Sequence, residues 1–271
     1  MPIRFSDFQN SSQLVLIAGP CVIESEEHVN RMADSIGAVA CESGFPWVFK
    51  ASFDKANRTS LQAWRGPGPE EGLQILARLR QRGFPVLTDI HQPAQASVAA
   101  EAVDILQIPA FLCRQTDLLL EAGRTGKIVN VKKGQFVAPH DMHYAAEKVA
   151  STGNSQVVLT ERGSSFGYNN LVVDMRGLKI MAEGGWPVVF DATHSVQLPS
   201  GAGGVSGGQP QFIEPLASAA VAVGVAGIFV EVHDQPEKAL SDGPNSLRLS
   251  LLPRFLKKIR LINEARRAAA A

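Results

Sequence analysis

Eight short apolar runs recur along the chain. Each ends in polar residues, and a stretch with helical spacing separates it from the next. The first, Leu14-Val15-Leu16-Ile17-Ala18, has no alternating polar face and is bounded by Gly19-Pro20, so it reads as a buried strand. A helical pattern from about Glu26 to Cys41 stops at Gly44, and Trp47-Val48-Phe49 follows as the second strand. A helix near 70–82 ends at Gly83 before Pro85-Val86-Leu87-Thr88, and one near 94–103 precedes Ile105-Leu106-Gln107-Ile108. Four more runs follow: Ile128-Val129-Asn130-Val131, Val157-Val158-Leu159-Thr160, Val188-Val189-Phe190 and Gly227-Ile228-Phe229-Val230. The last pattern, 247–267, reads as an amphipathic helix interrupted near Pro253, with 268–271 as a tail of no evident role.

Strands alternating with helices predict parallel pairing through right-handed crossovers, and eight such units closing on themselves make one α/β domain, a (β/α)8 TIM barrel over 1–271. The length of 271 residues fits that architecture, for which ~250 residues is typical. An open doubly wound sheet is the alternative. Its signature fails here, because the Gly-rich loop at 201–208 follows the seventh strand and lacks the dinucleotide-binding context.

With 26 basic and 26 acidic residues the formal net charge is zero, so there is no whole-molecule pull towards nucleic acid or an anionic membrane. No apolar stretch approaches the ~20 residues of a membrane span, and the N-terminal residues lack a cationic segment leading into an apolar one. The three cysteines, Cys21, Cys41 and Cys113, are widely spaced and odd in number, which suits a reduced cytoplasm better than a disulfide framework.

In a barrel the C-terminal strand ends converge on one face. That face would gather Lys50, Lys55, Arg58, Lys132 and Arg162, with Glu24, Asp89, Glu231 and Asp242 as counter-charges. The turn 50–58 alone brings three cations beside Ser52 and Asn57, an arrangement suited to phosphate or carboxylate, although a solvated basic loop has the same composition. Five cations exceed the need of one phosphate and point to a ligand with phosphate and carboxylate, or to two phosphorylated ligands. Cys21, His194, Glu231 and Asp242 offer a thiolate, an imidazole and two carboxylates, a set better matched to Zn²⁺ or Fe²⁺ than to Mg²⁺. Ordinary packing also supplies such residues: a lone cysteine after a strand is commonly a small core residue, and the four lack the short spacings of recognised zinc motifs. His91 reads as a polar liner or a base, Asp191 as a residue orienting a neighbour, and His28, His140 and His143 as surface residues. Cys41 and Cys113 read as packing residues.

Several longer motifs carry a resemblance: Ala18-Gly19-Pro20-Cys21, Lys50-Ala51-Ser52-Phe53-Asp54-Lys55-Ala56-Asn57-Arg58, Thr88-Asp89-Ile90-His91, Gln107 to Thr116, Asn130-Val131-Lys132-Lys133 and Phe166 to Asp174. Over nearly its whole length the chain resembles the 3-deoxy-D-manno-octulosonate 8-phosphate synthases, which condense phosphoenolpyruvate with D-arabinose 5-phosphate to supply a lipopolysaccharide precursor. Lys55-Ala56-Asn57-Arg58 separates it from the related 3-deoxy-D-arabino-heptulosonate 7-phosphate synthases, which look like Lys-Pro-Arg-Thr there.

The resemblance implies that Lys50, Lys55, Lys132 and Arg162, with the Ala110 backbone, hold phosphoenolpyruvate, that Asn57 and Arg58 hold the pentose phosphate, and that Asp89 and His91 line its hydroxyls. It further implies substrate contacts from Ser52, Gln107, Arg114 and His194, and catalytic roles for Lys55, Asp89, His91, Lys132 and Asp242. It implies a homotetramer, with Arg114 acting across a subunit boundary. Cys21, His194, Glu231 and Asp242 match the metal-dependent branch, so Zn²⁺, Fe²⁺ or Mn²⁺ is expected; the metal-independent branch carries Asn where this chain has Cys21. The loop 203–210 is less basic than its counterpart in many relatives. Competing readings are another phosphoenolpyruvate-using synthase, of the sialate type, and a non-catalytic sugar-phosphate sensor, which would be expected to have lost part of the charged set.

Overall fold

The computed structural model describes residues 2–10, 12–199 and 207–269. Eight parallel strands form the barrel: β1 (Val15–Gly19), β2 (Trp47–Lys50), β3 (Val86–Asp89), β4 (Ile105–Ile108), β5 (Ile128–Lys132), β6 (Val157–Glu161), β7 (Val188–Asp191) and β8 (Gly227–His233). Each pairs with the next in chain order, and β1 pairs with β8 from Val15↔Gly227 to Gly19↔Glu231, which closes the sheet. The single (β/α)8 architecture read from the sequence is the one observed. Outside it lie α1 (Glu26–Glu42), α2 (Pro69–Gln81), α3 (Gln95–Ala102), α4 (Thr116–Arg124), α5 (Met142–Ala150), α6 (Arg176–Ala182), α7 (Ile213–Val223) and α8 (Leu252–Ala268). No described helix is long and apolar enough to cross a membrane.

The strands are buried on both faces, which explains why they read as continuous apolar runs. Alternate residues nonetheless separate into two cores. Val15, Ile17, Val48, Leu87, Ile105, Ile128, Val158, Val189 and Phe229 pack together inside the barrel, joined by Phe8 from a short helix, Phe5–Gln9. Leu16, Phe49, Val86, Leu106, Val129, Leu159 and Phe190 face the helices instead.

In the seven strands β2–β8 the inward residue two positions beyond the inner apolar one is polar, on the same face of the strand. Val48 gives way to Lys50, Leu87 to Asp89, Ile105 to Gln107, Val158 to Thr160, Val189 to Asp191 and Phe229 to Glu231, while Ile128 leads to Asn130 and then Lys132. All of these polar residues are buried. An apolar floor thus carries a polar upper layer that opens at the C-terminal face.

One boundary differs from expectation. The C-terminal helix expected over 247–267 begins at Leu252, because Leu247 and Arg248 pair with Val232 and His233 of β8 and a 3-10 turn follows. Pro253 does not interrupt the helix; it sits in the first turn, where its missing N–H has no intrahelical acceptor to lose. Of the tail, residues 270 and 271 lie outside the described residues, as do 203–206 of the loop at 203–210.

Candidate active site

The polar layer opens into a cavity of about 460 Å³. Its lining holds five cations, Lys50, Lys55, Arg58, Lys132 and Arg162, against two carboxylates, Asp89 and Asp242. Asn57, His91, Gln107, Ala110 and His194 also line it, so most residues nominated by sequence converge on one space.

Beneath the lining, two cations are held by buried carboxylates. Lys50 Nζ donates to Glu231 Oε1 at 3.2 Å and to the Cys21 carbonyl at 2.8 Å. Gly19 lets the ends of β1 and β2 meet here, since a Cβ on it would fall 2.0 Å from the Lys50 carbonyl oxygen. Lys132 Nζ donates to Asp191 Oδ2 and stands 3.6 Å from the centre of the Phe229 ring. Burial pulls the Lys132 pKa below the ordinary lysine value, although Asp191 opposes it. Burial pushes the other way on Asp191, but His194 and Lys132 hold its carboxyl well below the usual range.

Asp191 also organises the loop after β7. Its Oδ1 accepts from the Thr193 and His194 backbone N–H groups at 3.2 and 2.9 Å, and its Oδ2 lies 2.8 Å from His194 Nδ1. With Nδ1–H on Asp191, His194 presents Nε2 to Glu231 Oε1, 3.5 Å away. A carboxylate fixing one ring nitrogen so that the other faces a donor cluster is the usual support of a metal-binding histidine.

That cluster is Cys21, Glu231 and Asp242, whose Sγ and carboxylate oxygens lie within 4.8 Å of one another. The Cys21 thiol donates to Asp242 Oδ2 at 3.0 Å; burial, Asp242 and Glu231 push its pKa well above the ordinary value. Glu231 Oε2 is buried with no hydrogen-bond partner. A crowded thiol and two carboxylates, one with an orphaned oxygen, fit a divalent cation that displaces the thiol proton. Asp242 reaches the cluster through a left-handed backbone, φ 50°, at the start of the turn Gly243–Asn245. Gln197, which the sequence reading missed, donates Nε2 to Asp242 Oδ1 and accepts from Arg162 Nη2 at 2.9 Å, linking the loops after β6, β7 and β8. Its only signal was a polar residue four positions past the Val188–Asp191 strand end's Thr193.

The remaining polar groups are poised rather than spent. Arg162 Nη1 and Gln135 Oε1 are buried without partners. Asp89 Oδ2 lies 3.2 Å from His91 Nε2, while Asp89 Oδ1 and His91 Nδ1 have no partner. Burial works against both charged forms of Asp89 and Lys55; His91, Lys50 and Lys55 nevertheless keep Asp89 far below its ordinary pKa, and Cys21, Glu231, Asp89 and Asp242 raise Lys55 above its own. Arg58 Nε donates to the Trp64 carbonyl at 3.0 Å, which fixes the rim.

Several nominated residues fall elsewhere. Ser52 is fully buried and outside the cavity lining, with its Oγ 3.5 Å from Lys55 Nζ, so it props a liner. Arg114 is exposed and lines a separate cavity with Phe136, Tyr144 and Lys148. Glu24, expected as a counter-charge in the pocket, instead bonds His233 and the Leu240 N–H. His28 is buried, not on the surface, whereas Cys41 is exposed and Cys113 buried.

A barrel whose C-terminal mouth is lined by cations and floored by a thiol, imidazole and carboxylate cluster is the frame of a synthase acting on anionic substrates. The family model described as DAHP synthetase I family matches residues 8–267, and the chain belongs to that family. Named 2-dehydro-3-deoxyphosphooctonate aldolase are a relative from Geobacter metallireducens, 60% identical over 93% of this chain and 93% of its own, and one from Syntrophotalea carbinolica, 61% identical over 94% and 93%. A Koribacter versatilis protein of the same name is 60% identical over 97% of this chain and 96% of its own.

Proposed function

We propose that the chain condenses phosphoenolpyruvate with D-arabinose 5-phosphate and water to give 3-deoxy-D-manno-octulosonate 8-phosphate and inorganic phosphate. The observation that carries this is the lining of five cations against two carboxylates, with Arg162 Nη1 buried and unpartnered. Two mutually repelling anionic substrates need such a clamp, and relatives sharing about three-fifths of the sequence carry the matching name.

In the reaction, C3 of phosphoenolpyruvate bonds to the sugar's aldehyde carbon, whose oxygen takes a proton. Water adds at C2, and the tetrahedral centre expels phosphate to leave the ketone. Lys132 and Arg162, with Lys50 and Lys55, hold phosphoenolpyruvate and offset charge developing on oxygen. Asn57 and Arg58 at the rim take the pentose phosphate. The unpartnered Asp89 Oδ1 and His91 Nδ1 receive the sugar hydroxyls. Cys21, Glu231 and Asp242, with His194 Nε2 beside Glu231, would hold Zn²⁺, Fe²⁺ or Mn²⁺; such an ion would supply Lewis-acid chemistry there. The reading extends to a cytoplasmic homotetramer in which Arg114, exposed in the single chain, completes a neighbour's site.

Phosphate release on mixing both substrates tests the activity. A sensor releases none, and a sialate-type synthase requires a different aldehyde. Chelated protein should lose the reaction and regain it with Zn²⁺, Fe²⁺ or Mn²⁺ but poorly with Mg²⁺; full rate in metal-free protein, checked by elemental analysis, would overturn the metal assignment alone.

A further inference from the structure

On the outer side of the β1 and β8 ends, away from the cavity, a second group of donors converges. Glu24 follows β1, His28 lies in the first turn of α1, and His233 ends β8; one ligand atom from each falls within 4.8 Å of the other two. His28 is placed by its helix, since its N–H donates to the Ser25 cap at 3.1 Å and its side chain lies on the buried stripe that continues through Met32, Ile36 and Ala40.

The hydrogen bonds around the cluster orient both rings. His28 Nε2 donates to Asp234 Oδ1 at 3.1 Å and Arg31 holds Asp234 Oδ2 at 3.1 Å, while His233 Nδ1, 3.2 Å from Asp234 Oδ1, accepts from the Gln235 N–H. The opposite ring nitrogens turn towards Glu24: His233 Nε2 stands 3.2 Å from Oε1 and His28 Nδ1 3.8 Å from Oε2. The second distance is too long for a hydrogen bond. His28 Nδ1 is accordingly buried with no partner, on a side chain only 6% exposed. Burial lowers the His28 pKa, so the ring is neutral and carries a lone pair at neutral pH. A neutral imidazole nitrogen and a carboxylate oxygen that face each other with no proton between them form a gap that a cation would bridge.

We propose that Glu24, His28 Nδ1 and His233 Nε2 form a second divalent-cation site, suited to Zn²⁺, with Asp234 as the outer carboxylate that orients both histidines. Two imidazoles and one carboxylate make a zinc-type donor set with one position left over, and that position opens onto a surface cavity also lined by Ser25, Glu27 and Lys238. In the ion-free form the Gln235 N–H donates to His233 Nδ1 at 2.9 Å, which puts the ring proton on Nε2 facing Glu24. Gln235 N–H also reaches Asp234 Oδ1 at 3.1 Å, so His233 can move its proton to Nδ1 and free Nε2 without stranding that donor.

The site is tied to the active site through the backbone. Glu24 accepts the Leu240 N–H at 2.9 Å; Leu240 is two residues before Asp242, and Glu24 is three after Cys21. An ion there clamps the loop that delivers Asp242.

The full chain, tag removed and stripped of metal, is dialysed against a fixed micromolar concentration of free Zn²⁺, and bound ion is counted by elemental analysis. Wild type should hold one more ion per chain than His28→Leu or the conservative Glu24→Gln, both checked for native circular dichroism. Replacing Zn²⁺ by Co²⁺ separates the sites, since only thiolate ligation gives the sulfur-to-cobalt absorption: Cys21→Ser should abolish that band and keep the second ion, and His28→Leu should do the reverse. Equal stoichiometry in wild type, His28→Leu and Glu24→Gln overturns the second site, whereas loss of the band's assignment to Cys21 would bear only on the active-site metal.

Discussion

Replacing Asp191 with Asn probes the buried pair on which the cavity floor rests. Asp191 is fully buried, and its Oδ2 is shared by Lys132 Nζ and His194 Nδ1. Asn keeps the Oδ1 acceptor for Thr193 and His194 N–H but turns an amide donor towards an ammonium and a ring N–H. Removing one partner of a buried pair typically destabilises by about 3–5 kcal/mol. A ceiling comes from Lys132 itself, which can shed its proton: at pH 7 that costs about 4.6 kcal/mol from an ordinary lysine pKa of about 10.4. The expected loss at pH 7 is therefore about 3–4.6 kcal/mol, below the ~5–15 kcal/mol of a typical domain.

The same reasoning fixes the pH dependence. Burial already lowers the Lys132 pKa, and loss of Asp191 lowers it further. Between the folded pKa and the ordinary lysine value the unfolded state binds more protons, so stability rises with pH there. Between the variant's folded Lys132 pKa and the wild type's, which is itself lowered, the gap between the two should narrow by up to about 1.4 kcal/mol per pH unit, because above the latter both gain stability alike. Urea unfolding at pH 7 and pH 9 measures it, and kcat/KM should fall about 10–100-fold through the misoriented His194. The double variant Lys132→Met, Asp191→Asn should recover much of the stability. A gap that is absent at pH 7, a gap that fails to narrow by pH 9, or a double variant as unstable as the two single losses combined would refute the argument.

Lys55→Ala should lower kcat/KM by about 1.5–3 kcal/mol, or about 10–150-fold, through one lost charge-assisted bond; its melting temperature should also fall, since Lys55 offsets Glu231, Asp89 and Asp242, so rates are compared at a temperature where the variant is fully folded. Arg114→Ala subunits mixed with Lys132→Ala subunits should regain activity in hybrid assemblies, and verified hybrids without activity would count against a shared site.

The barrel was legible because its strands are buried on both faces and end abruptly in charge. The period of two within them also marks the site, since Val48 to Lys50 and Val189 to Asp191 each step from apolar floor to polar layer on one face. The pairings were not legible. Lys50 and Glu231 are 181 residues apart, and Lys132 and Asp191 are 59 apart; only closure of β1 on β8 and the order of the strands bring them together. Gln197 gave only the signal of a polar residue past the seventh strand, because its role depends on the loops after β6, β7 and β8 meeting. His28 did give one: it shares a helical stripe with Met32 and Ile36, whereas Cys41 lies off that stripe and is exposed. Reading each residue by type hid what helical phase would have shown.

The active site divides its charges by depth, and the division has a physical reason. Burial at the bottom of the barrel works against the Lys132 charge and Asp191 opposes that loss, while Lys50 is paired with Glu231. Higher up, Arg162 Nη1, Asp89 Oδ1 and His91 Nδ1 remain buried and unpartnered, each a group whose desolvation costs stability that an internal partner would have offset. A substrate with phosphate, carboxylate and hydroxyl groups supplies those partners, so the free energy the empty site forgoes is recovered on binding. The lower pairs thus preserve the charge state that the upper groups need, and Asp191→Asn separates the two layers: it should change the pH at which the cavity holds its charge while leaving the upper donors in place.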